Sequence, residues 1–444
     1  MKLHEIFFWT TCFFLAGVFI ASIAIGFEQA RFITTVVILL IFSIAFFYRQ
    51  TLPYGAVFIV LVMFLGAGYY FIFDVMNNPG DVPFGQKVKI TGIIVEAEQR
   101  LNSQKLVIES AERLQITAGR YPKFDYGDRV QVEGIIEKIN PEWQGYFSKE
   151  GIAGLVSFPK IELIAKNQGS PIKAALFSVK EYFEESYRKV LPLEKAAFLS
   201  GLTLGSTAEF SDEFKENMRL TGTTHLVALS GYNITVITVS LGAILGLWWF
   251  TKKWRLLISI LFILSFVIMT GAEASVVRAA IMAMILLFAD QFKRIYYLRN
   301  AIAAAALVMV ILNPKVLVFD IGFQLSFAAL LGISYFRPYL QKWLKFTEKP
   351  GIFNWREHFL TTTSAQVAVL PLALYHFGYF SPMSLITNIL VLEFVPITMT
   401  LGFFTAFSAA ISYHLSWLLS FPTSIFLGYE LGVINLFAKI IQFL

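Results

Sequence analysis

TGTTHLVALSGYNITVITVSLGAILG, residues 221–246, is apolar enough to enter a bilayer, yet it carries Thr, His, Ser, Tyr and Asn along its first half. Hydrocarbon satisfies none of these groups, so they must bond to other helices or face water. More such groups follow. Glu273 lies in TGAEAS, Arg278 sits about one turn into the next apolar run, and Asp320 and Gln324 are four residues apart on one helical face. A charge near the bilayer centre costs at least about 2.5–3.5 kcal/mol, so each needs a partner or water. The spacing predicts that Arg278 pairs with Asp320, and that His225 and Gln324 line a hydrated vestibule nearby. The plainer reading is an ion pair that locks two helices, beside a structural histidine. Glu393, near the middle of its apolar run, is a further candidate.

Other chemistry is disfavoured. The five histidines (His4, His225, His358, His376 and His414) are scattered, and Cys12 is the single cysteine. A zinc hydrolase needs several ligands converging on one ion, so neither a metal nor a cofactor is expected. No GxxxxGK[ST] loop is present to hydrolyse ATP. A hydrolase built on Ser230 or His225 lacks a Ser-His-Asp set, so no catalytic residue is assigned.

The elements that must position these groups follow from composition. The chain has 444 residues, of which 57% are hydrophobic and only 15% charged, against roughly 25% charged in soluble domains. The fold class expected is a polytopic α-helical membrane protein with a small extracytoplasmic all-β, OB-like domain inserted after the third helix. Apolar runs at Ile6–Gly26, Phe32–Phe47 and Tyr54–Phe73 make residues 1–76 three transmembrane helices. The first run is too long for a secretory h-region and reads as a retained helix. Residues 77–168 alternate in polarity through KVKITGIIVEAE, QKLVIES, RLQIT, DRVQVEGIIEKI and GLVSFPKIELI, with YGD and NPEWQG as turns. About five short strands suit a small barrel of OB type.

Residues 169–223 read as linker and amphipathic helices, and Ser211 to Phe214 as a helix start. Residues 224–444 form the main bundle, with runs near 224–249, 254–271, 275–290, 297–312, 316–336, 358–377, 383–411 and 415–438. Pro396 predicts a broken helix in 383–411. Thr224, Ala228, Gly231, Thr235, Thr238 and Gly242 make a stripe of small side chains for close packing. Ser230 and Asn233 lie off that stripe. Basic connectors TKKWR, QFKRIYYLR and 337–356 fall on one side, which the positive-inside rule makes cytoplasmic. The N-terminus is then cytoplasmic and the β domain outside.

GTTHLVALSGYNITVI, GAEASVVRAAIMA, NPKVLVFDIGFQLSFAALLGI and AQVAVLPLALYHFGYFSPMSLITNIL occur in that order. Together they resemble the competence region of the ComEC family of bacterial DNA-uptake proteins, and the helices followed by an OB-like domain extend the likeness upstream. The resemblance implies an inner-membrane channel that admits single-stranded transforming DNA, here without its own nuclease domain. A small-solute transporter with an outward-facing polar site is the alternative.

The matching positions are His225, Ser230 and Gly231, then Arg278, then Asp320, Gly322, Gln324 and Ser326, then Gln366, Pro371 and Asn388. Gly231, Gly242 and Gly322 are taken as packing positions. The others, with Asn233, are pore or polar-site candidates, apart from Pro371. The family's usual SGLHV reads SGYNI here, and its PSxxRA reads ASVVRA. The partners implied are single-stranded DNA, the lipid bilayer and separate receptor, nuclease and motor or strand-binding proteins. The resemblance leaves a homo-oligomer open.

Overall fold

Glycines at two facing positions set the first packing step. The computed structural model describes residues 2–25, 54–77, 80, 82–229, 231, 234, 251–345, 355–381 and 383–443. The expected span Phe32–Phe47, and Ser230, Asn233, Thr235, Thr238 and Gly242 of the opening segment, lie outside those residues. Helix α1 (Leu3–Ile25) lies against α2 (Tyr54–Met76). A Cβ on Gly17 would overlap the Met63 carbonyl oxygen, and one on Gly66 would overlap that of Phe14. Val18 also meets Gly66, and the start of α1 lies by Asn300 while the end of α2 lies by Ile311, at the two ends of one later helix, so α1 and α2 run parallel.

Strands β1 (Lys87–Gln99), β2 (Ser103–Glu109), β3 (Arg113–Gly119) and β4 (Arg129–Ile135) come next. After helix α3 (Pro141–Glu150) come β5 (Ile152–Ser157) and β6 (Lys160–Ala165). The sheet order is β5-β3-β2-β1-β4-β6. The β3–β5 pair is parallel and the other pairs are antiparallel. A bridge from Glu137 to Leu155 returns β5 to the chain leaving β4, curling the sheet over a core of Ile94, Leu106, Ile108, Leu114, Ile116 and Val130.

Two expectations change here. GLVSFPKIELI is two strands, because the chain turns at Phe158 with φ 46° before Pro159. NPEWQG is not a turn but the start of α3. Asn140 caps it by accepting from Glu142 N at 3.2 Å, Pro141 occupies the first turn, and Gly151, at φ 70°, ends it.

Helices α4 (Pro171–Val190), α5 (Leu193–Leu204) and α6 (Asp212–Thr221) follow. The Ser211 hydroxyl accepts from Phe214 N at 3.1 Å, giving the expected helix start. The bundle continues with α7 (Lys252–Met269), α8 (Ala274–Gln291) and α9 (Leu298–Leu312). Then come α10 (Val316–Phe319), α11 (Ile321–Leu331) and, after a π turn at Gly332–Phe336, α12 (Arg337–Trp343). The last four are α13 (Trp355–Phe377), α14 (Ser384–Val391), α15 (Val395–Ala409) and α16 (Tyr413–Phe443). The run expected at 316–336 is therefore broken at Asp320. The break in 383–411 falls at 392–394, with Pro396 in the first turn of α15.

Among the described residues, four helices are long and apolar enough to cross a membrane, or five if α14 and α15, bent by 50°, are one span. The two ends of the bundle are distinct. His4 stacks on Tyr297 at 4.7 Å and Arg299 covers Phe8 at 4.4 Å, so the chain start meets the basic 293–299 loop. The far end of α9, about 22 Å away at 1.5 Å per residue, meets the β domain through Asn313, whose amide donates to Lys149 O at 2.9 Å.

Helices α15 and α16 form an antiparallel hairpin with polar rungs. Thr398 donates to Glu430 at 2.7 Å, Thr405 and Thr423 share a bond of 3.2 Å, and Ser416 donates to Thr405 O at 2.9 Å. Glu430 is fully buried, and its second carboxylate oxygen has no hydrogen-bond partner among the described residues. Glutamine keeps the acceptor for Thr398. Glu430→Gln is therefore expected to change stability by less than about 1 kcal/mol, whereas Glu430→Ala should cost about 1–3 kcal/mol. Thermal denaturation of the purified protein in detergent measures both.

Candidate polar port between the β domain and the helical bundle

Asp320 is where the β domain meets the bundle. The break between α10 and α11 makes it the N-cap of α11, with its Oδ1 accepting from Phe323 N at 2.9 Å. A Cβ on Gly322 would stand 3.1 Å from that same oxygen, so glycine keeps the cap open. Its other oxygen receives Lys149 Nζ at 2.9 Å, and Lys149 also pairs with Glu150 at 2.7 Å. Burial lowers the Lys149 pKa, but Glu150 and Asp320 together hold it above the usual lysine range.

The expected Arg278–Asp320 pair is not formed. Arg278 instead donates to the Ser326 carbonyl and lies 5.6 Å from the Phe327 ring centroid. The reason is depth: six residues of α11 separate Asp320 from Ser326, about 9 Å along the axis. Gly231 belongs to the Arg278 group, since a Cβ there would lie 3.6 Å from Arg278 Nη2 and 3.4 Å from Ala279 Cβ. Arg278 forms no ion pair with a described carboxylate.

Gln324 closes the wound left by the same helix break. Its amide donates to Val318 O at 2.7 Å and Leu317 O at 3.3 Å, and its oxygen meets His376 Nε2 at 3.2 Å. His225 does not join it. The imidazole sits 3.1 Å from Gly222 O and is exposed. Gly222 packs on Ser384, which accepts from the Gln366 amide. Asn388, one turn further along α14, is buried, and its side-chain oxygen lacks a described hydrogen-bond partner. The candidate residues therefore fall into three groups. These are Asp320 with Gln324 and Gly322, Arg278 with Gly231 and Ser326, and His225 with Gln366 and Asn388. Ser230, Asn233 and Gly242 lie outside the described residues.

Glu393 lies at the break between α14 and α15, where it pairs with His358, in the first turn of α13, at 2.6 Å.

Several participants were missed in the sequence. Lys149 was hidden because its helix read as a turn. Lys315, which pairs with Asp74 at 2.8 Å, looked like an ordinary loop lysine. Glu430 gave the same signal as Glu393, a lone carboxylate in an apolar run.

Acidic groups surround the Lys149 contact. Burial first, then the charge of Glu150, raises the pKa of Glu96. Burial also raises that of Glu273, with Lys180 opposing and Asp320 adding to the shift. A carboxyl raised in the folded state stabilises the fold while protonated. That contribution is complete below the ordinary carboxylate pKa and is lost as pH rises through the raised value. Glu96→Gln and Glu273→Gln are therefore expected to raise the melting temperature at neutral pH and to match wild type near about pH 4. Melting curves at the two pH values check this.

Residues 202–443 match the family model described as competence protein, more than half of the chain. The chain belongs to the competence protein family. A competence relative, ComE operon protein 3 of Bacillus subtilis (strain 168), is 29% identical over 226 residues, which is 50% of this chain and 27% of the relative. The chain thus aligns with about a quarter of that relative's length. No solved structure matches it. The competence match takes in α6 through α16 and all three groups of candidate residues, whereas the β domain lies before it.

Proposed function

We propose that this chain is a membrane channel component for uptake of single-stranded DNA during natural competence. The observation that carries the reading, beside family membership, is Arg278. It is a cation inside an apolar helix, bonded to a carbonyl rather than to a described carboxylate. An ionisable group inside a membrane helix marks a functional path by default, and a phosphate chain needs cationic guidance.

In this reading residues 1–76 are three transmembrane helices, 77–168 an OB-like domain, 169–223 a linker region and 224–444 the competence-type bundle. The parallel β3–β5 pairing and the sheet that closes through Glu137 and Leu155 support the OB-like assignment. The basic end, with the N-terminus, is cytoplasmic by the positive-inside rule, and the β domain faces outward. His225, Ser230, Asn233, Gln324, Ser326, Gln366 and Asn388 are polar-path residues beside Arg278 and Asp320. A separate receptor, nuclease and motor or strand-binding proteins act with the channel, and force on the strand comes from those partners.

The test is uptake of labelled DNA in a strain deleted for this chain and complemented with it. Uptake should vanish on deletion and return on complementation. Undiminished uptake after deletion defeats the proposal.

A further inference from the structure

Three parts of the chain far apart in sequence converge on Lys315. Its side chain is 4% exposed, and its ammonium meets Asp74 at 2.8 Å and the Ser148 hydroxyl at 2.7 Å. Asp74 is near the end of α2, Ser148 is on α3 of the β domain, and Lys315 opens α10. A lysine this buried is tolerated only when paired and hydrogen-bonded, and here both partners lie in other elements. Neighbouring contacts run the same way. Asn313 donates to Lys149 O at 2.9 Å, and its side-chain oxygen accepts from Lys315 N at 3.1 Å. Lys149 reaches Asp320. Gly145 of α3 leaves room for the Phe319 ring, which a Cβ would overlap.

We propose that Lys315 is a positioning residue that fixes the β domain to the helical bundle as one rigid body, with α3 as the wedge between them. Every polar contact here is buried or half-buried and joins oppositely charged or complementary groups, so parting the surfaces would take Ser148 from Lys315 and Lys149 from Asp320 at once, while Asp74 holds Lys315 in place on the bundle side. The β domain is thus not a tethered module that lifts away from the port. It supplies Lys149 to the port as a permanent part of its wall. The inference concerns the joint alone and holds whatever the cargo is.

A cysteine pair tests it in the full chain in native membranes, with Cys12→Ser as background. A Cβ at Gly145 lies 3.1 Å from Phe319 Cγ, which puts Gly145→Cys and Phe319→Cys within disulfide reach, about 3.5–4.5 Å between Cβ atoms. Mild oxidation should protect nearly all of the pair from a maleimide-polyethylene-glycol gel shift, and reductant should reverse it. Adding Lys315→Met should slow that protection at least about fivefold. Ser148→Ala, a milder change that keeps the chain folded, should slow it about twofold.

Failure of the pair to cross-link, or equal rates with and without Lys315→Met and Ser148→Ala, overturns the proposal. DNA uptake by the oxidised pair should stay within about twofold of the reduced form. Loss of uptake on oxidation, restored by reductant, would mean that the domain must lift, and overturns rigidity. The cross-linking readout uses no DNA, so a chain that proved to carry none would still be decided by it.

Discussion

Arg278→Ala is expected to lower transformation on the order of 100-fold, equivalent to about 2.7 kcal/mol, while the amount of protein in the membrane stays within about twofold. The two readouts separate for a physical reason. Removing an embedded guanidinium relieves an insertion cost of at least about 2.5–3.5 kcal/mol, and among the described residues what is lost is one carbonyl bond, to Ser326 O, and a contact with the Phe327 ring. The fold therefore has little to lose. In the proposed channel, a strand moving past loses the cation that would meet its phosphates. Arg278→Lys keeps the charge but not the planar fork, and should fall between the two. Normal transformation by Arg278→Ala would remove the residue from the path. A reciprocal exchange of Arg278 and Asp320 should restore nothing, because they are not partners. An exchange of Lys149 and Asp320 should recover part of what either single reversal loses.

The largest structural effect is expected at the α1–α2 contact. Gly17→Val or Gly66→Val forces a side chain into the opposing backbone, at Met63 O or Phe14 O. Neither oxygen can swing aside as a side-chain tip would. The helices must part, and overpacking of this kind costs about 3 kcal/mol or more. Both variants should show sharply reduced folded yield and a lowered melting temperature in detergent. Gly68, on the same helix, faces open space. Gly68→Ala should be neutral or stabilising by up to about 1 kcal/mol. If Gly17→Val melts like Gly68→Ala, the close approach is not what holds these helices together.

Much of the architecture could be read from residues whose meaning is local. The alternating runs of the β domain, the cap at Ser211 and the apolar helices on either side of Glu273 follow from periodicity and capping chemistry. Asn140, Pro141 and Gly151 carry a complete helix start and stop, yet NPEWQG reads as a turn because Asn140, Pro141 and Gly145 are turn-forming residues within six positions, and the helix between the caps is only ten residues long. Partner choice was less legible. Arg278 and Asp320 have complementary charge and fall in apolar segments of similar polarity, with α9 between them. Their true depths depend on where α11 begins, and that start depends on Asp320 capping it. Lys149 comes from a different domain, and no local pattern in the sequence signals which distant carboxylate it meets. Glu430 needed only the rule already applied to Glu393.

The α15–α16 hairpin repeats its polar contacts every seventh residue, at Thr398 and Thr405 on one side and Ser416, Thr423 and Glu430 on the other. A displacement of either helix by one turn would misalign all the rungs together, so this pair has one setting and no neighbouring one. The two helices therefore keep their register and behave as a single unit.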